Sequence, residues 1–396
     1  MSGKGKDSEG GGTIHIPSIA KEVSWVLGGR VANSVLAFAT GVIIGRALGP
    51  ESFGLYTFFV TVLILGMELA ASEGLNIGLV HHVAKLKETD EVLAVDYLRA
   101  ALQAKMMAGI LFVMVAAALV LLAFHWFDLR QEIWLPLWFG ISGAFFASMW
   151  RGTLAGLQAQ RQFSRYAAIL LTPNVTRLLF ILLLLFLGLL SLKSVLIFSL
   201  LGFVSGIVVG YLVLSPKYLF GRVGAGVWSR LLGYSKWSVL YSLLLVLYHR
   251  LDILILGILE EPGRVGIYSA AVTLAGFVYL FYEAALAVLL PNASRLQNMD
   301  GFRHFIGKSL KVTSVLSLTA VTIIVLAEPL IVLVYSDAYI EAAPLLRILC
   351  LGLIFTIVLE PLSVIILALG KPKIVSAVTF TVLLSYIAAI SMLYPR

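Results

Sequence analysis

About eleven stretches of this chain, each roughly 20 residues long, are apolar enough to cross a lipid bilayer. They lie near 23–45, 53–75, 101–124, 134–157, 166–190, 194–215, 236–258, 265–290, 312–335, 344–369 and 371–393. With 60% hydrophobic and only 13% charged residues among 396, the chain has more apolar surface than a soluble core absorbs. The fold class that follows is an all-α polytopic membrane protein.

Charge sets the expected orientation. Alternate connections carry Lys4, Lys6, Lys21, Lys85, Lys87, Arg99, Arg161, Arg165, Lys217, Arg222, Arg230, Arg295, Arg303, Lys308, Lys311, Lys371 and Lys373. The opposite connections are short and hold little beyond Arg130, Lys193 and Arg264, beside Asp128, Glu260, Glu261, Asp337 and Glu341. Lys and Arg concentrate in cytoplasmic loops, so the N-terminus is expected in the cytoplasm of a multi-pass cell-membrane protein. The net charge of +8 reflects this bias and not a nucleic-acid partner. Residues 1–22 read as a disordered cytoplasmic tail; the apolar run after them is too long for a cleaved signal peptide. Cys350 permits no internal disulfide and reads as a packed thiol.

Laying Pro262 over Pro50 brings two halves into register. "GPESFGLYTFFVT" (49–61) falls on "EPGRVGIYSAAVT" (261–273), matching Gly54 with Gly266, Tyr56 with Tyr268, and Thr61 with Thr273. Six spans separate the copies, so they run in the same direction and are related by an axis along the membrane normal. Spans one to six (23–215) form an N-lobe, 216–235 a cytoplasmic linker, and 236–396 a C-lobe of spans seven to eleven. The duplication predicts a twelfth span to match the sixth. Gly202, Gly206 and Gly210, every fourth residue in span six, allow close helix packing.

Polar residues obey the repeat. In span seven, Ser238, Ser242, His249 and Asp252 share a stripe with Tyr241 at its edge, and the corresponding stripe of span one carries Arg30, Asn33, Ala37 and Thr40, where Arg30, Ala37 and Thr40 match Ser242, His249 and Asp252. Span two offers Thr57, Thr61 and Glu68; span eight offers Ser269, Thr273, Gly276 and Glu283. A charge at mid-bilayer costs about 2.5–3.5 kcal/mol on insertion scales, so these faces are expected to meet across a hydrated cavity between spans one, two, seven and eight. Arg30, Arg177 and Arg250 make that cavity cationic. Arg177 follows Pro173, where the helix is expected to loosen; Glu360 precedes Pro361, which points to a break in span ten. Glu68, Asp252, Glu283 and Glu360 are candidates to bind a coupling H⁺ or Na⁺ or to neutralise arginines, and His249 titrates near neutral pH when unperturbed. Arg151 and Arg347, near span ends, are read as able to snorkel.

"VANSVLAFATGVIIGRALGPESFGLYTF", "HRLDILILGILEEPGRVGIYSAAVTLAG" and "LALGKPK" together resemble the polysaccharide transporter family, the O-antigen-type flippases of the multidrug/oligosaccharidyl-lipid/polysaccharide exporter superfamily. The resemblance implies a V-shaped pair of six-helix lobes that moves an isoprenoid-diphosphate-linked oligosaccharide from the cytoplasmic to the outer leaflet by alternating access. It also implies that Arg30, Arg250 and Asp252 serve the substrate. A diphosphate calls for arginines in a low-dielectric cavity. Asn33, Asn174, Tyr241, Tyr248 and His249 are candidates to meet sugar hydroxyls. A drug/cation antiporter on the same fold is the alternative.

An enzyme is not expected, since the outer loops are only about five to twelve residues long. "GRVGAG" (221–226) lacks the strand–turn–helix setting of a dinucleotide site. No metal site and no cofactor beyond a coupling ion are foreseen. The expected partners are the lipid-linked oligosaccharide, membrane lipids and glycan-assembly enzymes, met by a monomer.

Overall fold

The computed structural model describes residues 16–393 apart from 71, 87–88, 127–129, 215–220, 225, 294–298 and 369–371. Its helices are α1 (Ile16–Leu69), α2 (Ser72–Leu86), α3 (Glu91–Trp126), α4 (Trp134–Ala159), α5 (Phe163–Phe186) and α6 (Leu192–Leu214). The second half holds α7 (Val227–Leu259), α8 (Pro262–Ala293), α9 (Met299–Val325), α10 (Ala327–Val334), α11 (Ala342–Ala368) and α12 (Pro372–Leu393). Each of the eleven expected spans overlaps at least one of these helices, the second running past the end of α1 into α2. Among the described residues seven helices are long and apolar enough to cross a membrane, and α9 with α10 makes an eighth as a bent pair. The chain is an all-α polytopic membrane protein, with large side chains such as Leu111, Leu119, Leu212 and Phe355 on its outside.

Helix α1 is two spans in one. Straight, its 54 residues would reach about 80 Å, far beyond a hydrocarbon core of about 30 Å. Gly49, at φ 78° and ψ 176°, breaks the helix, and Pro50 brings no amide to continue it. The chain folds back there. Asn33 in the first arm and Tyr56 in the second consequently join a single chain of side-chain hydrogen bonds through α5.

The duplication has a physical counterpart where the second arm of α1 crosses α8. A Cβ built on Gly54 would fall on the carbonyl oxygen of Pro262, and one built on Gly266 would fall on that of Pro50. Each contact is the other's image under the repeat. One turn on, the Thr57 and Ser269 hydroxyls, 212 residues apart in sequence, share a hydrogen bond of 2.9 Å. The internal axis therefore passes between these pairs. Around it, at the Gly49 end, the rings of Phe53, Tyr335 and Tyr339 pack tilted or edge-on with centroid separations of 5.1–6.1 Å, and the Tyr339 hydroxyl donates to the Gly45 carbonyl at 2.8 Å.

Several local expectations need correction. Helix α1 begins at Ile16 and α7 at Val227, inside the stretches read as tail and linker; residues 1–15 of that tail lie outside the described residues. Helix α11 runs unbroken through Glu360 and Pro361, because a proline removes one hydrogen bond and a packed membrane helix absorbs that loss. Span nine is not straight: α9 and α10 meet at 77°. Arg347 does not snorkel freely but ties that bend, donating Nε to the Ile324 carbonyl at 3.4 Å and Nη2 to Glu328 at 3.0 Å. Arg151 likewise pairs with Glu73 at 2.8 Å.

Helix α5 continues through Pro173, and the α6 glycines explain how. Gly202 lies against the Pro173 carbonyl, Gly206 against Trp150 and the Pro173 ring, and Gly210 against Thr153. The "GRVGAG" segment is a strap on α3. Asp96 accepts from the Gly224 amide at 2.9 Å, Gln103 donates to the Gly221 carbonyl at 3.0 Å, and Gly221 adopts φ 137°.

Candidate functional site

A cavity of about 490 Å³ lies on the internal axis. It is lined by both arms of α1 and by α5, α6, α7 and α8, so it draws on α5 and α6 as well as the four spans expected. Five pairs of repeat-equivalent positions face it: Phe38 with Arg250, Gly41 with Ile253, Thr57 with Ser269, Val60 with Val272, and Ile64 with Gly276. Backbone symmetry is kept while the chemistry diverges. Where the second half offers Arg250, the first offers a phenyl ring, and the first half supplies its cation from α5 as Arg177.

Arg177 is positioned by neutral groups. Its Nη2 donates to Asn174 Oδ1 at 2.7 Å, one turn back on α5, and its Nη1 donates to the Tyr56 hydroxyl at 2.9 Å. Asn174 passes the restraint on, donating Nδ2 to Asn33 Oδ1 at 2.7 Å. The buried Nε has no partner, and among the described residues no carboxylate lies within ion-pair distance of Arg177. Hydroxyl and amide oxygens orient a guanidinium without cancelling its charge, so the field of Arg177 extends into the cavity. The cavity lining contains two arginines and no aspartate or glutamate.

Asp252 does not face this space. One of its carboxylate oxygens accepts the Tyr268 hydroxyl at 2.6 Å, and it is the acid that acts on Arg250 from alongside. Tyr268 is the repeat partner of Tyr56, so equivalent tyrosines meet an acid in one half and a guanidinium in the other.

The lining lies one residue from most of the expected stripe, although Ala37 belongs to both. On α1 the lining residues are Ser34, Ala37, Phe38 and Gly41; Thr40 is buried with its hydroxyl on the Leu36 carbonyl. On α7 they are Arg250 and Ile253. Arg30 is exposed and does not line the cavity. Tyr241 and Tyr248 are exposed and lie off it, and His249 turns Nδ1 to the Leu245 carbonyl of its own helix at 2.8 Å. Glu68 is buried away from the cavity. The side chains of Glu283 and Glu360 lie outside the described residues. Sequence reasoning missed Phe38, Ser199, Phe203 and Phe277 as lining residues; Phe38 and Phe277 stack at 4.8 Å between α1 and α8. Advancing the proposed stripe by one residue in both copies would have found Phe38 and Arg250 together.

Solved structures share this fold of two parallel helical repeats around an axial cavity. An inward-facing multidrug resistance MATE family transporter of the MOP superfamily superposes with a TM-score of 0.68 at 15% identity, over 86% of this chain and 82% of its own. An outward-facing structure from that family gives 0.61 at 15% identity, over 91% and 84%. The Vibrio cholerae MATE transporter VcmN in its bent form gives 0.56 at 15% identity, over 92% and 86%. The family described as polysaccharide biosynthesis protein matches residues 19–297, and the one described as MatE matches residues 238–390. No curated protein matches the sequence. The chain belongs to the polysaccharide biosynthesis protein family.

Proposed function

We propose that the chain is a flippase that carries an isoprenoid-diphosphate-linked oligosaccharide from the cytoplasmic to the outer leaflet, by alternating access around the axial cavity, for assembly of a cell-surface polysaccharide. One observation carries this reading: the cavity lining has two guanidiniums, Arg177 and Arg250, one from each half, and no carboxylate. Such a site suits a polyanionic headgroup, because charge-assisted hydrogen bonds to phosphate oxygens strengthen where water is scarce. The Thr57, Ser269, Thr273 and Asn174 side chains offer donors and acceptors to sugar hydroxyls, and Phe38, Phe277 and Tyr279 offer apolar faces. The hydrocarbon tail stays in the bilayer.

In this reading the protein sits in the cell membrane with a cytoplasmic N-terminus, works as a monomer among lipids, and hands its cargo to glycan-assembly enzymes. Transport is driven by a coupling ion or by the membrane potential, which supplies about 2.3 kcal/mol per charge per 100 mV. The match of residues 238–390 to the MatE family favours a second reading, a drug/cation antiporter. An organic cation would meet the two arginines as like charges.

Proteoliposomes loaded with fluorescent isoprenoid-diphosphate glycan distinguish the two. The flippase reading expects glycan translocation that collapses when Arg177 and Arg250 are both replaced by Ala. Retained glycan translocation in that double variant, or cation export without any glycan movement, would overturn it.

A further inference from the structure

A groove of about 400 Å³ runs between the first arm of α1 and α10, towards the Gly49 end of the molecule. Phe38, Ala39, Val42, Ile43 and Arg46 line it from α1, and Leu333 and Val334 from the last turn of α10. The α1 positions recur every three or four residues, so they form one stripe about 12 Å long, with Phe38 at one end and Arg46 at the other. The side chains between them are hydrocarbon. Leu333, at the rim, is 70% exposed, as a side chain facing lipid is.

Arg46 is the one charged residue in this lining. Its Nη1 donates to the Leu333 carbonyl at 2.8 Å, which holds the guanidinium at the end of α10. A carbonyl orients the cation without neutralising it, and among the described residues no carboxylate lies within ion-pair distance of Arg46.

The repeat shows this groove to be particular to one side of the molecule. Ala39 and Val42 have larger twins on α7, Leu251 and Leu254, and Arg46 has an apolar one, Ile258. Leu254 joins one apolar cluster with Val113, Ala116 and Val120 of α3. Helix α3 runs unbroken through its 36 residues, whereas its counterpart in the second half turns by 77° between α9 and α10. Smaller side chains on α1, beside a helix that has turned aside, leave room here. Phe38 joins that room to the transport site: its ring lines both the groove and the axial cavity, and stacks on Phe277 at 4.8 Å where α1 meets α8.

We propose that the groove binds the isoprenoid chain of the lipid-linked cargo. The first isoprene units lie along Ala39, Val42 and Ile43 while the headgroup is in the cavity, and Arg46 takes a phosphate oxygen as the headgroup leaves at the Gly49 end. A branched hydrocarbon finds only apolar partners along the stripe. A diphosphate that leaves Arg177 and Arg250 meets a third guanidinium instead of bare lipid. The inference rests on the flippase reading and gives its cargo chain a place on one face of α1.

An isoprenoid diphosphate carrying a photoreactive diazirine in its first isoprene unit tests this in proteoliposomes. Light is expected to attach it within residues 39–46 and 333–334, as read by peptide mass spectrometry. Excess unlabelled isoprenoid diphosphate is expected to remove the label, and the same excess of phosphatidylglycerol to leave it. Giving this side the chemistry of its twin, with Ala39→Leu and Arg46→Ile together, is expected to lower both labelling and glycan translocation about tenfold, the effect of losing one hydrogen bond to a charged group. Arg46→Lys should retain most of both. The wild-type labelling map is decisive whether or not the double variant folds. Label confined to other helices, or removed equally well by phosphatidylglycerol, overturns the inference, and glycan movement by that same wild type keeps the flippase reading intact. A labelled groove in a protein that moves no glycan supports the isoprenoid diphosphate site and overturns the flippase reading instead.

Discussion

Arg177 shows how a charged side chain is held for use inside a membrane protein. Tyr56 and Asn174 orient it, and a ligand phosphate would meet a nearly undiminished charge. Hydrogen bonds to charged groups contribute about 1.5–3 kcal/mol each. Arg177→Ala and Arg250→Ala are therefore expected to weaken headgroup binding about ten- to a hundredfold each, read as initial translocation rates in proteoliposomes. Arg177→Lys keeps the charge but cannot span Tyr56 and Asn174 together, so its rate should fall between wild type and Ala. At this scale the sequence was only partly legible. Residue types and spacing singled out Arg177, Arg250 and Asn174, which line the cavity, and Asn33, which bonds Asn174 from outside the lining; the choice between His249 and Arg250 is a matter of helix phase, about 100° per residue. In a soluble helix the polar side betrays the phase. In α7 the polar residues His249, Arg250 and Asp252 fall within one turn among apolar neighbours on every side, so spacing alone does not choose between them; Arg30 of α1 and Tyr241 and Tyr248 of α7 lie off the cavity.

The crossing of α1 with α8 depends on two glycines that leave room for a facing carbonyl. Adding one methyl group at either site forces the same two backbones apart by the same contact. Gly54→Ala and Gly266→Ala should therefore be matched in effect, each lowering stability by at least about 1–3 kcal/mol, the usual range for overpacking. Thermal melts of the purified variants test this, and unequal losses would mean the two contacts are not equivalent. Element positions were read well from hydropathy, because a 20-residue apolar run has one solution in a bilayer. The bend between α9 and α10 was not, although Pro329 in the first turn of α10 was its signal: a proline that opens one helix ends the one before. Arg347→Ala should loosen this corner, seen as faster hydrogen exchange over 324–330, with a smaller effect from Glu328→Gln.

At the scale of the whole molecule, the Thr57–Ser269 hydrogen bond marks where the halves meet on the axis. Cysteines at both positions, with Cys350 replaced by Ala, lie within the reach of a disulfide. Oxidation is expected to stop translocation and reductant to restore it, whereas Thr57→Cys alone should be indifferent to both. Continued transport by the oxidised double variant would show that this contact need not open. The two-repeat plan was readable because Pro50, Gly54 and Tyr56 recur in order at Pro262, Gly266 and Tyr268. What could not be read was the cluster in which Glu68 and Lys105 are buried beside the Arg151–Glu73 pair. Its members come from α1, α2, α3 and α4, and neither Lys105 nor Glu73 has a polar periodicity to announce it.

The reciprocal glycine contact also bears on how such a chain can change over time. A residue lying on the symmetry element touches its own twin, so a bulky replacement there must be answered at once by the other copy. Positions a few ångströms off that element carry no such obligation, and at Phe38 and Arg250 the copies have already parted company. The oldest shared feature of the duplicated gene is then expected at the seam, while novelty in cargo choice accumulates on the walls beside it.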